Sequence, residues 1–345
     1  MLSGKLWPAH PKPLPDELLS SWIVRIAEAN GVKLQTMTHL LFGLYNLPWN
    51  HDIDRLAPKW FLKGICAHAG SSYWDAYRMT LAGYRTRLYR YRKDSGQLRW
   101  ILPVRINSTK REGFGMQYCP ACLATDKEPY FRRKWRVAFY TFCPEHRIMS
   151  HDCCPACGAA VLFYRRDFGR AIDEAGAICL CYHCQFDLRT APQAPVVIYD
   201  DDVFRLYVEM LQALDGAVCD AGQFDLKFHA VLHQLCKVML SAQNHDRLRQ
   251  YVAEMLGVTV TPAVYGKMPL EHRRVFDRYQ IAFFALWLLM GQGDRIVKAW
   301  RNKVVRYNML KKDFQPIPSW YQAIVMQCAN WREAGKIVKK SLFLD

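Results

Sequence analysis

Apolar side chains recur at helical spacing near the start of the chain, and a short turn follows them. The residues on this apolar face are Leu18, Trp22, Ile26 and Ala29. Pro15-Asp16-Glu17 is a helix-start signal, and Asn30-Gly31 ends the helix before KLQTMTHLLFG begins a second one. Two helices joined by a tight turn are typical of a helix-turn-helix that docks on DNA, and equally of a structural hairpin or a protein-docking surface. The pattern leaves both readings open.

The second half of the chain is predicted to be almost entirely helical. Before it, residues 73–91 read as helical and QLRWILPVRI reads as strand-like. APQAPVVIYDDD is a proline-bearing linker whose acidic end, Asp200–Asp202, is read as helix N-terminal charge, with a metal site as the weaker alternative. The helices predicted after it, separated in part by prolines, are 203–214, 226–241, 245–256, 271–290, 294–312 and 319–340.

The longest apolar run is too short to cross a membrane. IAFFALWLLM has ten residues, which span only about 15 Å as a helix, half of a bilayer core. The N-terminus has no apolar stretch typical of a signal peptide, so a cytoplasmic, nucleoid-associated protein is expected. In a reducing compartment, the thirteen cysteines are more typical of metal binding than of disulfides.

The formal net charge of +16 predicts an anionic partner. From Arg78 to Arg111 there are ten Lys or Arg residues against one acid, and from Arg295 to Lys312 there are seven and no acid. Such stripes suit contacts to a DNA or RNA backbone, although a solvated basic surface with its aromatic residues turned into the core is the alternative. The candidate nucleic-acid or partner-binding residues are Arg85, Arg87, Arg90, Arg92, Arg132, Arg133, Lys134 and Arg136.

Nine of the thirteen cysteines lie between Cys119 and Cys184, and seven of them form, with His146, four pairs with metal-ligand spacing. Two residues between ligands allow a tight turn to point both side chains at one ion. The predicted structural zinc sites are Cys119/Cys122/Cys143/His146 and Cys154/Cys157/Cys181/Cys184. Two zinc ions are expected, and with four protein ligands each, neither site leaves a position for a catalytic water.

The cysteines allow three other interpretations. The first and third pairs could share an ion in an interleaved arrangement, and thiolates could hold an iron–sulfur cluster. Cys143 and His146 could instead form a nucleophile–base pair, but no orienting group or oxyanion hole is recognisable and the remaining pairs would be unexplained. The sequence therefore favours metal binding and predicts that the protein is not an enzyme.

These motifs resemble the TniQ family of transposon target-selection proteins, which includes a TnsD branch. The resemblance lies in the run from YCPACLATD to HDCCPACGAAV, in ICLCYHCQFDL, and in the opening PLPDELLSSWIVRIAEANG, and it covers residues 11–190. The matching positions of the opening are Glu17, Ser20, Trp22 and Arg25. The expected fold is mainly α, with an N-terminal helix-turn-helix, two zinc-ribbon-like modules and a C-terminal helical domain. The expected domains are 1–115, 116–190 and 191–345.

The resemblance implies an adaptor that links a target-recognition complex, or target DNA, to the AAA+ ATPase of a transposon (TnsC/TniB-like). The recognition complex could be a CRISPR effector with its guide RNA, in which base pairing reads the sequence. The TnsD branch carries further C-terminal sequence for reading DNA, which this chain does not show, so a stand-alone DNA-binding target selector is the alternative. The sequence leaves open whether the protein forms a homodimer.

Overall fold

The structure is a computed structural model of the 345-residue chain. It describes residues 6–44, 48–91, 96–104, 115–167, 169–214, 222–241, 246–260 and 268–329. The chain divides into two compact units, residues 1–196 and residues 197–345. Among the described residues, helices are the main regular structure of both units, and the strands are short. The prediction of a mainly α fold with small zinc-ribbon-like modules is confirmed.

The first unit is built around helix α1, Leu19–Ala29, which is buried over most of its length. Gly31 ends the helix with a φ of +60°, a conformation that costs glycine little, and donates its N–H to the carbonyl of Glu28. Helix α2, Leu34–Phe42, then packs against α1. The two predicted helices and the tight turn between them are therefore present.

Three further helices complete the N-terminal part of this unit. They are α3, Ile53–Leu56; α4, Lys59–Ala69; and α5, Tyr73–Arg78. Ser72 caps α5 in a capping box with Asp75, in which each side chain satisfies a backbone donor of the other residue. The helix predicted over 73–91 ends at Arg78, and a 3₁₀ turn follows at Leu81–Tyr84. The helix cannot continue through residue 86, because Thr86 has a φ of 74°.

The cysteine-rich region packs into the same unit as α1. It contains helix α6, Pro120–Thr125, and a hairpin of β1, Phe142–Cys143, and β2, Ile148–Met149, which pair antiparallel. The N–H of Leu18 donates to the carbonyl of Phe131, and the N–H of Arg133 donates to that of Asp16. The strand predicted around residue 101 is reduced to a single bridge between Ile101 and Val137. Main-chain hydrogen bonds thus join regions that the sequence assigned to separate domains, and the three-domain division stays a prediction.

The second unit is a helical bundle around a central apolar helix. Its helices are α7, Asp201–Gln212; α8, Leu226–Met239; α9, Arg247–Leu256; α10, Val275–Leu289; α11, Asp294–Arg301; α12, Tyr307–Lys311; and α13, Ser319–Gln327. Helix α10 contains the longest apolar run, is buried almost throughout, and packs against α7, α8, α9 and α11. Asp200 caps α7 by accepting from the N–H of Val203, so this acidic cluster begins a helix, as predicted.

Two of the predicted C-terminal helices differ from those observed. The helix predicted over 294–312 is interrupted between α11 and α12, where Lys303 takes a φ of 59° and Val304 donates its N–H back to Ala299. Of the helix predicted over 319–340, the part after residue 329 lies outside the described residues. Among the described helices, none has the length and apolar character that a bilayer crossing requires.

Candidate metal centres

The first candidate centre joins a helix N-terminus to a β-hairpin. Cys119 is the N-cap of α6, and its Sγ accepts a hydrogen bond from the N–H of Cys122 at 3.4 Å. A proline at the first helical position is preorganised for the helix and sacrifices no hydrogen bond. Cys143 lies in β1 and His146 in the turn before β2, where Arg147 donates its N–H to the Cys143 carbonyl. Two short, locally fixed turns therefore supply all four side chains.

The spacing of these four side chains fits a tetrahedral ion. Sulfurs about 2.3 Å and a nitrogen about 2.0 Å from one ion would lie about 3.8 Å apart for two sulfurs and about 3.6 Å for sulfur and nitrogen. The Sγ atoms of Cys122 and Cys143 are 3.7 Å apart. The Nδ1 of His146 lies 3.7 Å from the Sγ of Cys119 and 3.4 Å from the Sγ of both other cysteines. The set could hold a zinc ion through three sulfurs and Nδ1.

The second candidate centre consists of two similar turns. In the first, the carbonyl of Cys154 accepts from the N–H of Gly158, and in the second, the carbonyl of Cys181 accepts from the N–H of Gln185. The Sγ atoms of Cys154 and Cys184 are 3.7 Å apart, and so are those of Cys157 and Cys181. Both distances match the edge of a tetrahedral set of thiolates around zinc. This set is more open than the first, because Cys157 and Cys184 are exposed.

The ligand atoms come together in chain order, in the two sets that spacing predicts. The interleaved arrangement is not formed. Neither Cys153 nor Cys179 belongs to either set. His151 is engaged elsewhere, with its Nε2 2.7 Å from the carbonyl of Pro192, and His183 is exposed.

The crowded thiols of the first set favour one thiolate. Hydrogen bonds from Cys119, and then from Cys122, hold the pKa of Cys143 well below its ordinary value. Against a hydrogen bond from Cys122, the Cys143 thiol and burial raise the pKa of Cys119, and the contact with Cys119 raises the pKa of Cys122. A metal ligand must be deprotonated, so a bound cation would displace the protons of these two thiols. His146 Nδ1 faces three sulfurs at once, which is the arrangement of a ligand set and not of an isolated nucleophile and its base.

The residues that carry the N-terminal resemblance are buried, and their side chains form hydrogen bonds within the first unit. Arg25 donates to Glu17 at 2.8 Å and to Glu128 at 2.6 Å. The hydroxyl of Ser20 donates to Asp54 at 2.8 Å, and the indole of Trp22 donates to the carbonyl of Pro11 at the same distance. These side chains therefore hold α1 against other segments of the first unit, and their buried positions are not accessible to a ligand.

Comparison with known families agrees with this geometry. The model of the TniQ family matches residues 8–149, which include α1 to α6 and the whole first ligand set. This part of the chain is therefore similar to the TniQ family. That family is one of transposition target-selection proteins. The second ligand set lies outside the matched residues, so its assignment depends only on its geometry. A search of curated proteins found no match.

Within the matched residues, the basic run 132–136 does not form the surface that the sequence suggested. Arg136 is fully buried, donating to Asp52 at 2.6 Å, to Asp54 at 3.3 Å and to the carbonyl of Leu102. The prediction that Arg136 contacts a nucleic acid or a partner is therefore wrong, because no surface of the side chain is accessible. Its charge is neutralised inside the fold.

The other three residues of this run also have internal partners. Arg132 makes a bidentate contact with Asp126, at 2.7 and 3.0 Å, and lies over the Tyr130 ring. Arg133 donates to Asp16 at 2.9 Å, and Lys134 lies over a tyrosine ring. Their contacts with a partner stay a prediction, but each of these side chains already has a partner inside the first unit.

The arginines after α5 are differently placed. Arg85 and Arg90 are exposed, Arg87 is half-buried, and Arg92 lies outside the described residues. The Nε of Arg85 donates to the carbonyl of Arg90 at 3.4 Å, which closes a tight loop. Of the basic residues predicted to contact nucleic acid, those of this loop are therefore the most accessible within the described chain.

Helix α2 would be the recognition helix of a helix-turn-helix. Residues 34–42 contain no Lys or Arg, and the exposed positions of the helix are Gln35, Thr36 and Leu40. Base-edge and phosphate contacts in a major groove rely mainly on Arg, Lys, Asn and Gln. The helix pair is present, but its outer face is poorly equipped to read DNA.

Proposed function

We propose that this protein is a targeting adaptor in transposition, which links a target-recognition complex to the transposon AAA+ ATPase. The observation that supports the proposal is the similarity of residues 8–149 to the TniQ family, with a complete four-ligand set inside the matched region. Two zinc ions brace the first unit, one in each set, and act structurally. Each set already offers four protein ligands, so neither leaves a position for a reactive water.

The binding surfaces support protein contacts over stand-alone reading of DNA. Helix α2 lacks basic residues, and the most buried members of the 132–136 run are neutralised by carboxylates. Phosphate contacts by Arg85, Arg87 and Arg90 would then add affinity for nucleic acid without sequence preference. The recognition complex, including a CRISPR effector with its guide RNA, would supply the sequence specificity.

The experiment that tests the adaptor is co-purification of the tagged chain with a transposon AAA+ ATPase, with and without target-recognition components. We expect a stable complex with the ATPase. A charge-reversal variant, Arg85→Glu with Arg87→Glu and Arg90→Glu, tests whether the loop contributes, and an Arg205→Glu variant of the second unit is the matched exposed control.

A mobility-shift titration of the purified protein separates the alternative function. Nanomolar, sequence-selective binding that survives about 200 mM salt would favour a stand-alone DNA-binding selector and would contradict the adaptor. Weak binding with a steep salt dependence agrees with the adaptor. Absence of any association with the ATPase or the recognition components would overturn it.

A further inference from the structure

The segment that begins with α5 displays large aromatic side chains to solvent. Trp74 is 62% exposed, and Tyr91, at the far end of the segment, is 66% exposed. Aromatic residues of this size are usually turned inward, as Tyr84 and Tyr89 of the same segment are. The two exposed rings therefore need an explanation beyond packing.

The exposed indole rests on a small aromatic cluster. Tyr73 and Tyr77 pack edge-on against Trp74, with ring centroids 5.2 and 5.8 Å away, and the two tyrosines stack on each other. The capping box of Ser72 and Asp75 fixes the start of the helix that carries them. The cluster is thus held by local structure, which reduces the loss of conformational entropy when a ring binds a ligand.

Basic residues lie close to these rings along the chain. Between residues 76 and 91 the chain has four arginines and no acid. Arg78 lies one helical turn after Trp74 and is highly exposed, and the guanidinium of Arg90 lies 5.3 Å from the centre of the Tyr91 ring. Asp75 is the acid nearest in sequence, 3.9 Å from Arg78 in an exposed pair that contributes little.

Residues 73–91 form one continuous folded piece. The 3₁₀ turn after α5 packs against that helix, and the hydroxyl of buried Tyr89 donates to the carbonyl of Leu81 at 2.7 Å. The tight loop carrying Arg85 and Arg90 therefore sits on the turn that follows the aromatic helix. Rings and guanidinium groups belong to a single local scaffold.

From these observations we infer that residues 73–91 bind single-stranded nucleic acid. Trp74 and Tyr91 stack on unpaired bases, while Arg78, Arg85 and Arg90 contact the phosphates. Exposed aromatic rings with surrounding basic groups suit single strands, since every base has a face to stack on and a duplex keeps its bases stacked internally. A protein partner would also use Trp, Tyr and Arg, but the absence of acids from residues 76–91 favours a polyanion.

The test is fluorescence anisotropy with labelled oligonucleotides of about 20 nucleotides, supplied as single-stranded DNA, single-stranded RNA and duplex DNA. We expect the wild-type protein to bind a single strand about tenfold more tightly than the duplex. The Trp74→Ala, Tyr91→Ala variant should lose about tenfold to hundredfold in single-strand affinity and little in duplex affinity, because stacking is removed and the phosphate contacts remain. The DNA and RNA arms show which strand is preferred.

Three further variants control the measurement. Trp74→Phe should retain much of the affinity, because a ring is kept. Arg85→Gln with Arg90→Gln should weaken single-strand and duplex binding alike and reduce the salt dependence of both. Trp320→Ala removes an exposed tryptophan of the second unit and should change neither affinity. Zinc content and melting temperature should match the wild type in each variant.

The inference is overturned if single strand and duplex bind equally, or if the double aromatic variant binds both as the wild type does. It is also overturned if that variant keeps its oligonucleotide affinity but no longer binds the AAA+ ATPase, because the surface would then be a protein interface. The adaptor function is judged separately by ATPase association of the wild-type chain. Either proposal can therefore fail while the other stands.

Discussion

The guanidinium of Arg25 lies 2.8 Å from the carboxylate of Glu17, and both side chains are buried. Burial raises the pKa of Glu17 even though Arg25 opposes that shift. The second partner of the same guanidinium, Glu128, is 59% exposed. Arg25 thus forms one buried and one solvent-exposed ion pair, so the contributions of the two pairs to stability can be compared within one protein.

Arg25→Ala is expected to destabilise the first unit by about 3–5 kcal/mol, because it leaves the Glu17 carboxylate buried without its cation. Glu128→Ala removes only the solvated partner and should cost less than about 1 kcal/mol. Urea unfolding followed by tryptophan fluorescence measures both changes. Equal losses in the two variants would show that the Glu17–Arg25 pair is not energetically distinct.

Cys122→Ser is expected to lower the zinc content from two ions to one per chain and to unfold the region around the first ligand set. The cause is the loss of one of four tetrahedral ligands whose metal binding is coupled to folding. Metal analysis and thermal unfolding give the result. Cys153→Ser is the matched control, since Cys153 is outside both sets, and it should keep both ions. A folded Cys122→Ser protein with two ions would contradict the assignment.

A chelator should remove zinc in two phases. The second set exposes Cys157 and Cys184, whereas the three cysteines of the first set are buried, so the second ion is expected to leave first. A stopped-flow measurement with a colorimetric zinc chelator resolves the phases. Cys184→Ser should abolish the fast phase and leave the slow one. Release of both ions at a single rate would mean that burial does not control access.

The stability of the first unit is expected to depend on Asp54 near neutral pH. Burial raises the pKa of Asp54 to about 7 from 3.8, against the opposing charge of Arg136. The folded protein therefore holds this proton more tightly than the unfolded chain does. The stabilisation is full below about pH 3.8 and is lost as the pH rises through about 7.

Urea unfolding with zinc in excess, from about pH 5 to about pH 7.5, tests this dependence. The free energy of unfolding should fall with pH more steeply in the wild type than in Asp54→Asn, whose side chain stays uncharged. Asp187→Asn is the control, because Arg189 lowers the pKa of Asp187 and places its contribution at lower pH. Parallel curves for wild type and Asp54→Asn would contradict the prediction.

The ligand sets were predictable because their geometry is local. Each pair is separated by two residues, and a tight turn in each half points both side chains the same way. The sequence also indicated the end of α1 at Asn30-Gly31. The helix predicted over 73–91 was too long, because a hydrophobic pattern does not reveal the positive φ of Thr86.

The role of Arg136 could not be predicted from its neighbours in sequence. Its carboxylate partners, Asp52 and Asp54, lie 84 and 82 positions away, and only the tertiary fold brings them to it. From sequence alone, a run of basic residues is therefore predicted to be exposed, because its acidic partners are distant in the chain. The same holds for Arg133, whose partner Asp16 is 117 positions away.

The hairpin of the first ligand set is completed by chain that returns from beyond the second set. The N–H of Met149 donates to the carbonyl of Ala194, the N–H of Val196 donates to that of Arg147, and Ile148 bridges to Pro195. A fragment cut at residue 149, where the family match stops, would leave this hairpin with an unpaired edge. A fragment should therefore end at residue 196, because the chain passes through the second set before residues 194–196 pair with the hairpin.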